Sequence, residues 1–418
     1  MSANAQNKTF NKVFLFGKKT SSPYAISIKN PINFNENLGY GFDFGSGKDV
    51  NFKKDYIISE TSVYFSVKLP EGNYKVNVVL GGKKCAKTTV KAESRRLMLK
   101  EIVTEKRDEV QYSFVVNVRT PKINVDKNIK VKDRDKGQLN WDDKLTLEFL
   151  GMSAIKSIEI KLANNIKTIF LAGDSTVTDQ DVEPWASWGQ LFTNYLNADI
   201  VVANYAESGS SLPAFKGALR LEKIMTIMKP GDYLFIEFGH NDEKIKGEGN
   251  GAWGLYTNLL KEYISTFRER GGKVLLLTPT ERRYFDDNDN LKHTHGDYPD
   301  AMRKVASDLQ VPLIDLTNMT RSMYESWGAE SSRNAFVHYP ENTFPGQDKK
   351  LEDDTHFNSF GANEIAKCVV EGIKDLDLEL VKFLKPNIPA FNPKKPDNFN
   401  DWALPMSTRF EIEKPDGN

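Results

Sequence analysis

The sequence has few residues of the kinds that build metal clusters and disulfide frameworks. Its 418 residues include only two cysteines, Cys85 and Cys368, which excludes a zinc cluster and a disulfide framework. An enzyme that depends on histidine has few candidates for its base. The five histidines are His240, His293, His295, His338 and His356.

Long apolar runs and an excess of one charge are also missing. No apolar run approaches the length of about 18 residues that a transmembrane helix needs. Lys and Arg total 57, as do Asp and Glu, so the formal net charge is +0. This balance argues against nucleic acid or an anionic membrane as a partner, because both favour a basic excess. The mean hydropathy of −0.50 is typical of an ordinary globular protein.

The N-terminus, MSANAQNKTF, lacks the basic and apolar segments of a complete signal peptide. Ala3-Asn4-Ala5 has the A-x-A pattern that precedes a cleavage site, and an arbitrary polar start explains it equally well. We expect a secreted or periplasmic protein whose leader has been removed from this chain.

The first part of the chain, from about residue 10 to residue 161, predicts an all-β sandwich. Apolar side chains recur at every second position in short runs separated by turn residues, as half-buried antiparallel strands require. Many such runs without a convincing helix favour a jelly-roll-like sandwich, and the glycine- and aromatic-rich residues 40–47 suit a bent strand. The clearest runs are residues 61–69, 74–80, 110–118 and 144–150.

After Asn164 and Asn165 the pattern becomes that of an α/β fold. Apolar runs without polar alternation are typical of parallel strands buried on both faces, and helical stretches separate them. This alternation predicts a three-layer α/β fold with a parallel sheet. Strands are expected at 168–172, 200–203, 233–238, 274–277 and 312–316, and helices at 188–196, 212–228, 255–270 and 298–309.

The length allows two or three domains at roughly 150 residues each. The change of pattern divides the chain into a β-sandwich domain at 1–163 and an α/β domain at 164–384. Residues 385–418 are rich in Pro and Asn, so we expect a tail that packs on the surface and does not form a domain.

Small and polar residues follow the predicted parallel strands, at the edge of the sheet where ligands bind. A serine hydrolase needs a nucleophile, a general base and a group that orients the base. Ser175 is the predicted nucleophile, and His356 is the predicted base because histidine titrates near neutral pH. Asp353 is expected to orient the imidazole from the same short loop, with Asp354 as the competing carboxylate.

The same reaction needs donors for a developing oxyanion. We predict the backbone N–H of Ser175, the backbone N–H of Gly209 and the side-chain amide of Asn241. A lone serine after a strand is usually a helix N-cap, so the interpretation depends on all these positions together.

Four sequence blocks resemble the SGNH (GDSL) hydrolase family: Gly173-Asp174-Ser175, Gly209, the GHND of residues 239–242, and Asp353-x-x-His356. The segments FGHND, TPTERR, THGDYP and DDTHFN are similar to those of rhamnogalacturonan acetylesterases, which are family 12 carbohydrate esterases. The family commonly has GGRS at its second block, whereas residues 208–211 read SGSS without the arginine. This departure bears on substrate contacts more than on the oxyanion role of Gly209.

The resemblance implies a flavodoxin-like SGNH hydrolase domain preceded by a galactose-binding-like sandwich. It also implies a serine esterase that needs no cofactor and removes acetyl groups from a pectic polysaccharide such as rhamnogalacturonan. The expected partner is therefore a polysaccharide or oligosaccharide, without nucleic acid or membrane, and the sequence does not indicate an oligomeric state.

Four further side chains are candidates for substrate contact. Arg282 and Arg283 follow the fourth predicted strand and suit a uronate carboxylate, with ordinary surface charge as the alternative. His295 lies in a predicted rim loop, and Trp188 suits a sugar ring, although burial is the more frequent use of tryptophan. His293 and His295 have the spacing of a metal pair, but no third ligand completes it, so we expect no metal.

Other functions stay open at this point. One is an SGNH esterase that acts on an acylated xylan or on a lipid or thioester. Another is a glycan-binding protein with little catalysis, since sandwiches of this kind also bind sugars. The complete set of four blocks favours the esterase, because a binding module does not need it.

Overall fold

The computed structural model describes residues 10–417. Residues 1–9 and 418 lie outside this part, and with them the predicted cleavage-site remnant Ala3-Asn4-Ala5. In the part described, no helix has both the length and the apolar character needed to cross a bilayer.

Residues 11–162 form two β-sheets that pack face to face, which confirms the all-β first region. The alternating pattern explains these sheets, because it gives each one an apolar inner face. The inward side chains of both sheets share one core. The strands are β1 (Asn11–Phe16), β2 (Ala25–Ile28), β3 (Tyr40–Asp43), β4 (Asn51–Phe52), β5 (Ile57–Ser59), β6 (Val63–Lys68), β7 (Gly72–Gly81), β8 (Ala86–Ala92), β9 (Arg96–Thr104), β10 (Glu109–Val118), β11 (Lys144–Leu150) and β12 (Ser153–Leu162).

One sheet has the order β10-β7-β12-β1-β2, with β5 beside β12 and β4 beside β5. The other has the order β3-β6-β11-β8-β9. Neighbouring strands are antiparallel except β1 and β2, which run parallel. The glycine- and aromatic-rich segment supplies β3 at the edge of the second sheet and then turns into a short 3-10 helix, Ser46–Asp49.

The second region is a parallel sheet between two layers of helices, as predicted. Its strands are β13 (Lys167–Gly173), β14 (Ile200–Asn204), β15 (Tyr233–Glu237), β16 (Lys273–Leu277) and β17 (Leu313–Ile314), followed by the antiparallel pair β18 (Phe336–Tyr339) and β19 (Leu351–Phe357). Its helices are α1 (Trp188–Phe192), α2 (Leu212–Gly217), α3 (Arg220–Ile227), α4 (Thr257–Glu269), α5 (Tyr298–Asp308), α6 (Leu316–Ser331) and α7 (Ser359–Asp375).

The strand order β14-β13-β15-β16-β17 is the doubly wound flavodoxin-like order. Successive side chains of β13 explain why its sequence is apolar without alternation. Ile169 and Leu171 join the core under α1, α6 and α7, whereas Phe170 and Ala172 join the core under α2, α3, α4 and α5. Both faces of the strand are therefore buried, and its carboxyl end opens toward the candidate site.

The helices differ from the prediction in two places. The single helix expected at 212–228 is two helices, because Leu219 has a φ of 65° and breaks the chain direction between α2 and α3. Helices α6 and α7 were not predicted, although α7 follows β19 directly and packs on the sheet.

Buried ion pairs join the two regions. Arg96 of β9 donates to Asp179 at 2.7 Å, and both side chains are almost fully buried. Trp141 of the first region lies between two guanidinium groups, 4.7 Å from that of Arg119 and 5.2 Å from that of Arg220. The first region thus packs firmly on the second, while the boundaries after residues 163 and 384 stay predictions.

Candidate active site

Ser175 lies in a tight turn directly after β13. The Asp174 carboxylate accepts hydrogen bonds from the backbone N–H and the hydroxyl of Thr176, at 3.0 and 2.9 Å. The Asp174 carbonyl accepts from the backbone of Val177 and Thr178, at 3.1 and 3.0 Å. These bonds hold the turn, which places Ser175 beyond the carboxyl end of the central strand.

The structure brings the three predicted triad side chains together. The Nε2 atom of His356 lies 2.9 Å from the Ser175 hydroxyl, and its Nδ1 atom lies 2.8 Å from the Asp353 carboxylate. All three side chains are buried. This is the arrangement in which an imidazole can take a proton from a serine while a carboxylate fixes its tautomer.

Asp353 and His356 lie on β19 and not on the short loop expected from the sequence. The strand pairing explains how they can still meet. Val337 of β18 pairs with Asp353, but Phe336 pairs with Phe357, so residues 354–356 bulge out of the ladder. The bulge lets two side chains three residues apart approach each other.

The Asp353 carboxylate is held in its charged form. Burial would raise its pKa, but the His356 ring and the backbone N–H groups of His356 and Thr355 outweigh burial and hold the pKa well below its usual range. Both N–H groups donate to one carboxylate oxygen at 2.8 Å, which leaves the other oxygen for the imidazole. Asp354, the competing carboxylate, instead pairs with Arg283 at 2.6 Å and with His338 at 2.8 Å.

The predicted oxyanion donors border the same space. Gly209 has a φ of 74°, and a Cβ atom on it would lie 2.8 Å from the Asp416 Cβ, so this position requires glycine. The Asn241 amide nitrogen donates to the Ser210 carbonyl at 3.1 Å. An amide nitrogen carries two N–H groups, so the second one can serve an oxyanion.

Asp242 connects two blocks of the site. Its carboxylate accepts a hydrogen bond from the backbone of Leu212 at 2.9 Å, which joins the loop after β15 to the start of α2. Burial raises the pKa of Asp242 to about 8. Tyr298 donates to its carbonyl at 3.0 Å. The residue therefore fixes the loop and does not face the reacting groups.

His240 is buried behind the same loop. Its ring lies edge-on to His295 with centroids 4.4 Å apart, and its Nδ1 atom lies 3.5 Å from the Asp174 carboxylate. Burial lowers the pKa of His240 to about 4, so the imidazole is neutral at neutral pH. This placement agrees with a supporting role for His240.

The arginines predicted to contact substrate are engaged inside the protein. Arg282 is buried, pairs with Glu243 at 2.6 Å and donates to the His240 carbonyl at 3.2 Å. Arg283 is buried in its pair with Asp354. The geometry therefore does not favour a direct contact between either guanidinium and a uronate.

His295 and Trp188 are also buried. His295 bonds to Glu243 at 3.0 Å and to the Thr280 carbonyl at 2.8 Å. Trp188 has no exposed surface, and its indole N–H donates to Glu237 at 2.6 Å. Both rings belong to the scaffold behind the site, which is the alternative that the sequence left open for tryptophan.

The metal pair suggested by the spacing of His293 and His295 is not assembled. His293 bonds to Glu281 and to the Gly296 carbonyl, and the two rings are 6.5 Å apart. Across residues 10–417, no group of three or more His, Cys, Asp or Glu side chains is placed to hold a metal ion.

A polar cavity of about 210 Å³ lies beside the triad. Gln180 and Trp185 line it and also contact the triad: Gln180 donates to the Ser175 carbonyl at 2.8 Å, and the Trp185 ring lies 5.8 Å from that of His356. The rest of the wall comes from the first region, the turn after Ser175 and the tail, and includes Arg134, Gln138, Asn140, Asp181, Arg409 and Glu411.

The C-terminal tail reaches the oxyanion side of the site. The Asp416 carboxylate pairs with Lys132 at 3.1 Å and with Arg134 at 2.9 Å. The Lys414 ammonium lies 3.4 Å from the Asp353 carboxylate, and the Gly417 carbonyl accepts a hydrogen bond from Lys244. Sequence reasoning missed these tail and sandwich residues, because no motif marks contacts between distant parts of a chain.

Comparison with known proteins places a family match in the second region. The GDSL-like Lipase/Acylhydrolase family matches residues 171–363. The chain is 42% identical to the rhamnogalacturonan acetylesterase RhgT of Bacillus subtilis (strain 168) over 214 residues, which cover 51% of this chain and 91% of that protein.

Two further relatives come from the same organism. The probable rhamnogalacturonan acetylesterase YesY is 36% identical over 220 residues, which cover 51% of this chain and 95% of that protein. The uncharacterized esterase YxiM is 25% identical over 378 residues, which cover 86% of this chain and 90% of that protein. The last alignment therefore extends into the β-sandwich region.

Proposed function

The chain belongs to the GDSL-like lipase/acylhydrolase family and is a serine esterase, and from this we propose that it removes acetyl groups from a pectic polysaccharide such as rhamnogalacturonan. The observation that carries the proposal is the chain of hydrogen bonds from Ser175 through His356 to Asp353. The names of the relatives RhgT and YesY support the choice of substrate.

In the proposed mechanism, His356 removes the hydroxyl proton of Ser175 as the oxygen attacks the acetyl carbon. The resulting imidazolium is stabilised by Asp353, which stays ionised. His356 then returns the proton to the sugar oxygen that leaves. Water, activated by the same imidazole, attacks the acetyl-serine and releases acetate.

The tetrahedral intermediate carries a negative charge on the former carbonyl oxygen. We assign its donors as the backbone N–H of Ser175, the backbone N–H of Gly209 and the second amide N–H of Asn241. Loss of one such donor typically costs about 3 kcal/mol of transition-state stabilisation. The preformed turn after β13 and the left-handed backbone of Gly209 support this assignment.

The surroundings of the triad support a sugar substrate more than a lipid. The adjacent cavity is lined largely by amide, carboxylate and guanidinium groups, which suit hydroxyl-rich ligands. A polysaccharide substrate would also place the enzyme outside the cytoplasm.

Acetate release from a panel of acetylated substrates tests the proposal. We expect kcat/KM to be highest for acetylated rhamnogalacturonan, lower for acetylated homogalacturonan and xylan, and we expect Ser175→Ala to lose activity about 10⁴-fold or more. A preference for xylan would contradict the proposed substrate class. Substantial activity of the correctly folded Ser175→Ala variant on an aryl acetate would contradict the mechanism.

A further inference from the structure

One lysine of the β-sandwich reaches the peptide unit that provides an oxyanion donor. The Ser208 carbonyl and the Gly209 N–H belong to the same peptide unit. The Lys132 ammonium donates to the Ser208 carbonyl at 2.5 Å. Lys132 lies just before the short 3-10 helix Asp133–Asp135, outside residues 171–363 that match the family.

This contact acts on the N–H at the other end of the peptide unit. A cation that binds a carbonyl oxygen draws electron density through the amide, which makes the N–H a stronger donor. The same bond resists rotation of the peptide unit. Such a restraint matters here because Gly209, with its φ of 74°, tolerates backbone conformations that other residues avoid.

We propose that Lys132 is a positioning residue of the oxyanion site: it holds the Ser208–Gly209 peptide unit with the Gly209 N–H toward Ser175 and polarises that N–H. This role depends on the oxyanion function proposed for Gly209. It gives the β-sandwich a part in catalysis that does not require the sandwich to bind sugar.

Lys132 has a second partner, which suggests a competing explanation. Its ammonium also pairs with Asp416 of the tail at 3.1 Å, so the lysine could serve only to anchor the tail. Asp416 separates the two roles. Its carboxylate pairs with Lys132 at 3.1 Å and with Arg134 at 2.9 Å. Asp416→Asn weakens this anchor of the tail and leaves the bond from Lys132 to the Ser208 carbonyl in place.

The test compares Lys132→Met, Lys132→Arg and Asp416→Asn in the full chain, with an aryl acetate as the substrate. Removing an oxyanion donor outright lowers kcat about 10²–10³-fold, and weakening one donor should lower it about tenfold in Lys132→Met with little change in KM. Lys132→Arg should recover most of this loss, because a guanidinium also donates to a carbonyl. Asp416→Asn should stay within about twofold of the unchanged protein in kcat.

A second measurement separates catalysis from folding. A boronic acid inhibitor forms a tetrahedral adduct with the serine, so its Kd reports on the oxyanion donors, and Lys132→Met should weaken it by about the same tenfold factor. Melting temperatures of the three variants should be close to one another, since the Lys132 and Asp416 side chains are 35% and 42% exposed.

Two results would overturn the role of Lys132. One is an unchanged kcat and boronate Kd in Lys132→Met. The other is an equal loss in Asp416→Asn, which would assign the effect to the tail. These results are distinct from failure of the proposed function, which would appear as activity retained by Ser175→Ala whatever Lys132→Met does.

Discussion

The triad and the oxyanion site are built in different ways. All three triad residues lie within residues 171–363, and their bonds of 2.8 and 2.9 Å join only members of the α/β region. The oxyanion side also borders Lys132 of the β-sandwich and Asp416 of the tail. The reacting groups thus come from the α/β region alone, whereas their surroundings are assembled from the whole chain.

The largest effect should come from a change in the triad, whose members all belong to the α/β region. Asp353→Asn should lower kcat about 10⁴-fold, because an amide no longer holds the imidazole in the tautomer that accepts the serine proton. The measurement is steady-state hydrolysis of an aryl acetate. Asp354→Asn is the matched control, since Asp354 bonds to Arg283 and His338 and not to the triad histidine, and it should lose less than about tenfold. A greater loss in Asp354→Asn would reverse the assignment of the orienting carboxylate.

A change in the contacts between the two regions should show first as a loss of stability. Arg96→Met should lower the free energy of unfolding by about 3 kcal/mol, because it leaves Asp179 buried with a weakened set of partners. Urea denaturation measures this change.

Lys127→Met is the control for Arg96→Met. Lys127 also bridges the two regions, to Glu222, but both side chains are 42% exposed. We expect this variant to lose less than about 1 kcal/mol. Equal losses of unfolding free energy in the two variants would show that burial does not determine how much an ion pair between the two regions contributes to stability.

The smallest effect concerns a buried acid behind the triad. Burial, reinforced by the charge of Asp174, raises the pKa of Glu237 to about 8. The folded protein therefore binds a proton that the unfolded chain releases, and this group stabilises the fold at low pH and loses its contribution as pH rises toward 8.

Glu237→Gln removes this titration while keeping a polar side chain beside Trp188. The melting temperature of the variant relative to the unchanged protein should therefore rise as the pH increases from about 5 to about 8. A difference that stays constant over this range, or that falls, would contradict the raised pKa.

The architecture could be predicted because the order of apolar and polar residues along each strand reflects which of its faces are buried. Residues 169–172 of β13 are all apolar since both faces of the strand are covered, and β7 alternates since only one face is. The break at Leu219 could not be predicted in the same way, because a leucine with a positive φ is enforced by packing and has no local signal.

The predicted triad residues were found together for a related reason. Ser175 follows a strand that the sequence predicts, and the spacing Asp353-x-x-His356 indicates the base and its orienting carboxylate. Arg282 and Arg283 also follow a strand, but the sequence does not reveal that Glu243 and Asp354 cover them. Lys132 and Arg96 were missed because no motif marks their contacts with partners in another region, 76 and 83 positions away.

The position of the tail has a practical consequence for handling the protein. Gly417 lies against Gly209 and Asn241, so a peptide fused to this end of the tail would lie close to the oxyanion site. An acidic tag there would compete with Asp416 for Lys132. Purification tags and surface attachment should therefore be placed ahead of Phe10, where the chain enters the β-sandwich.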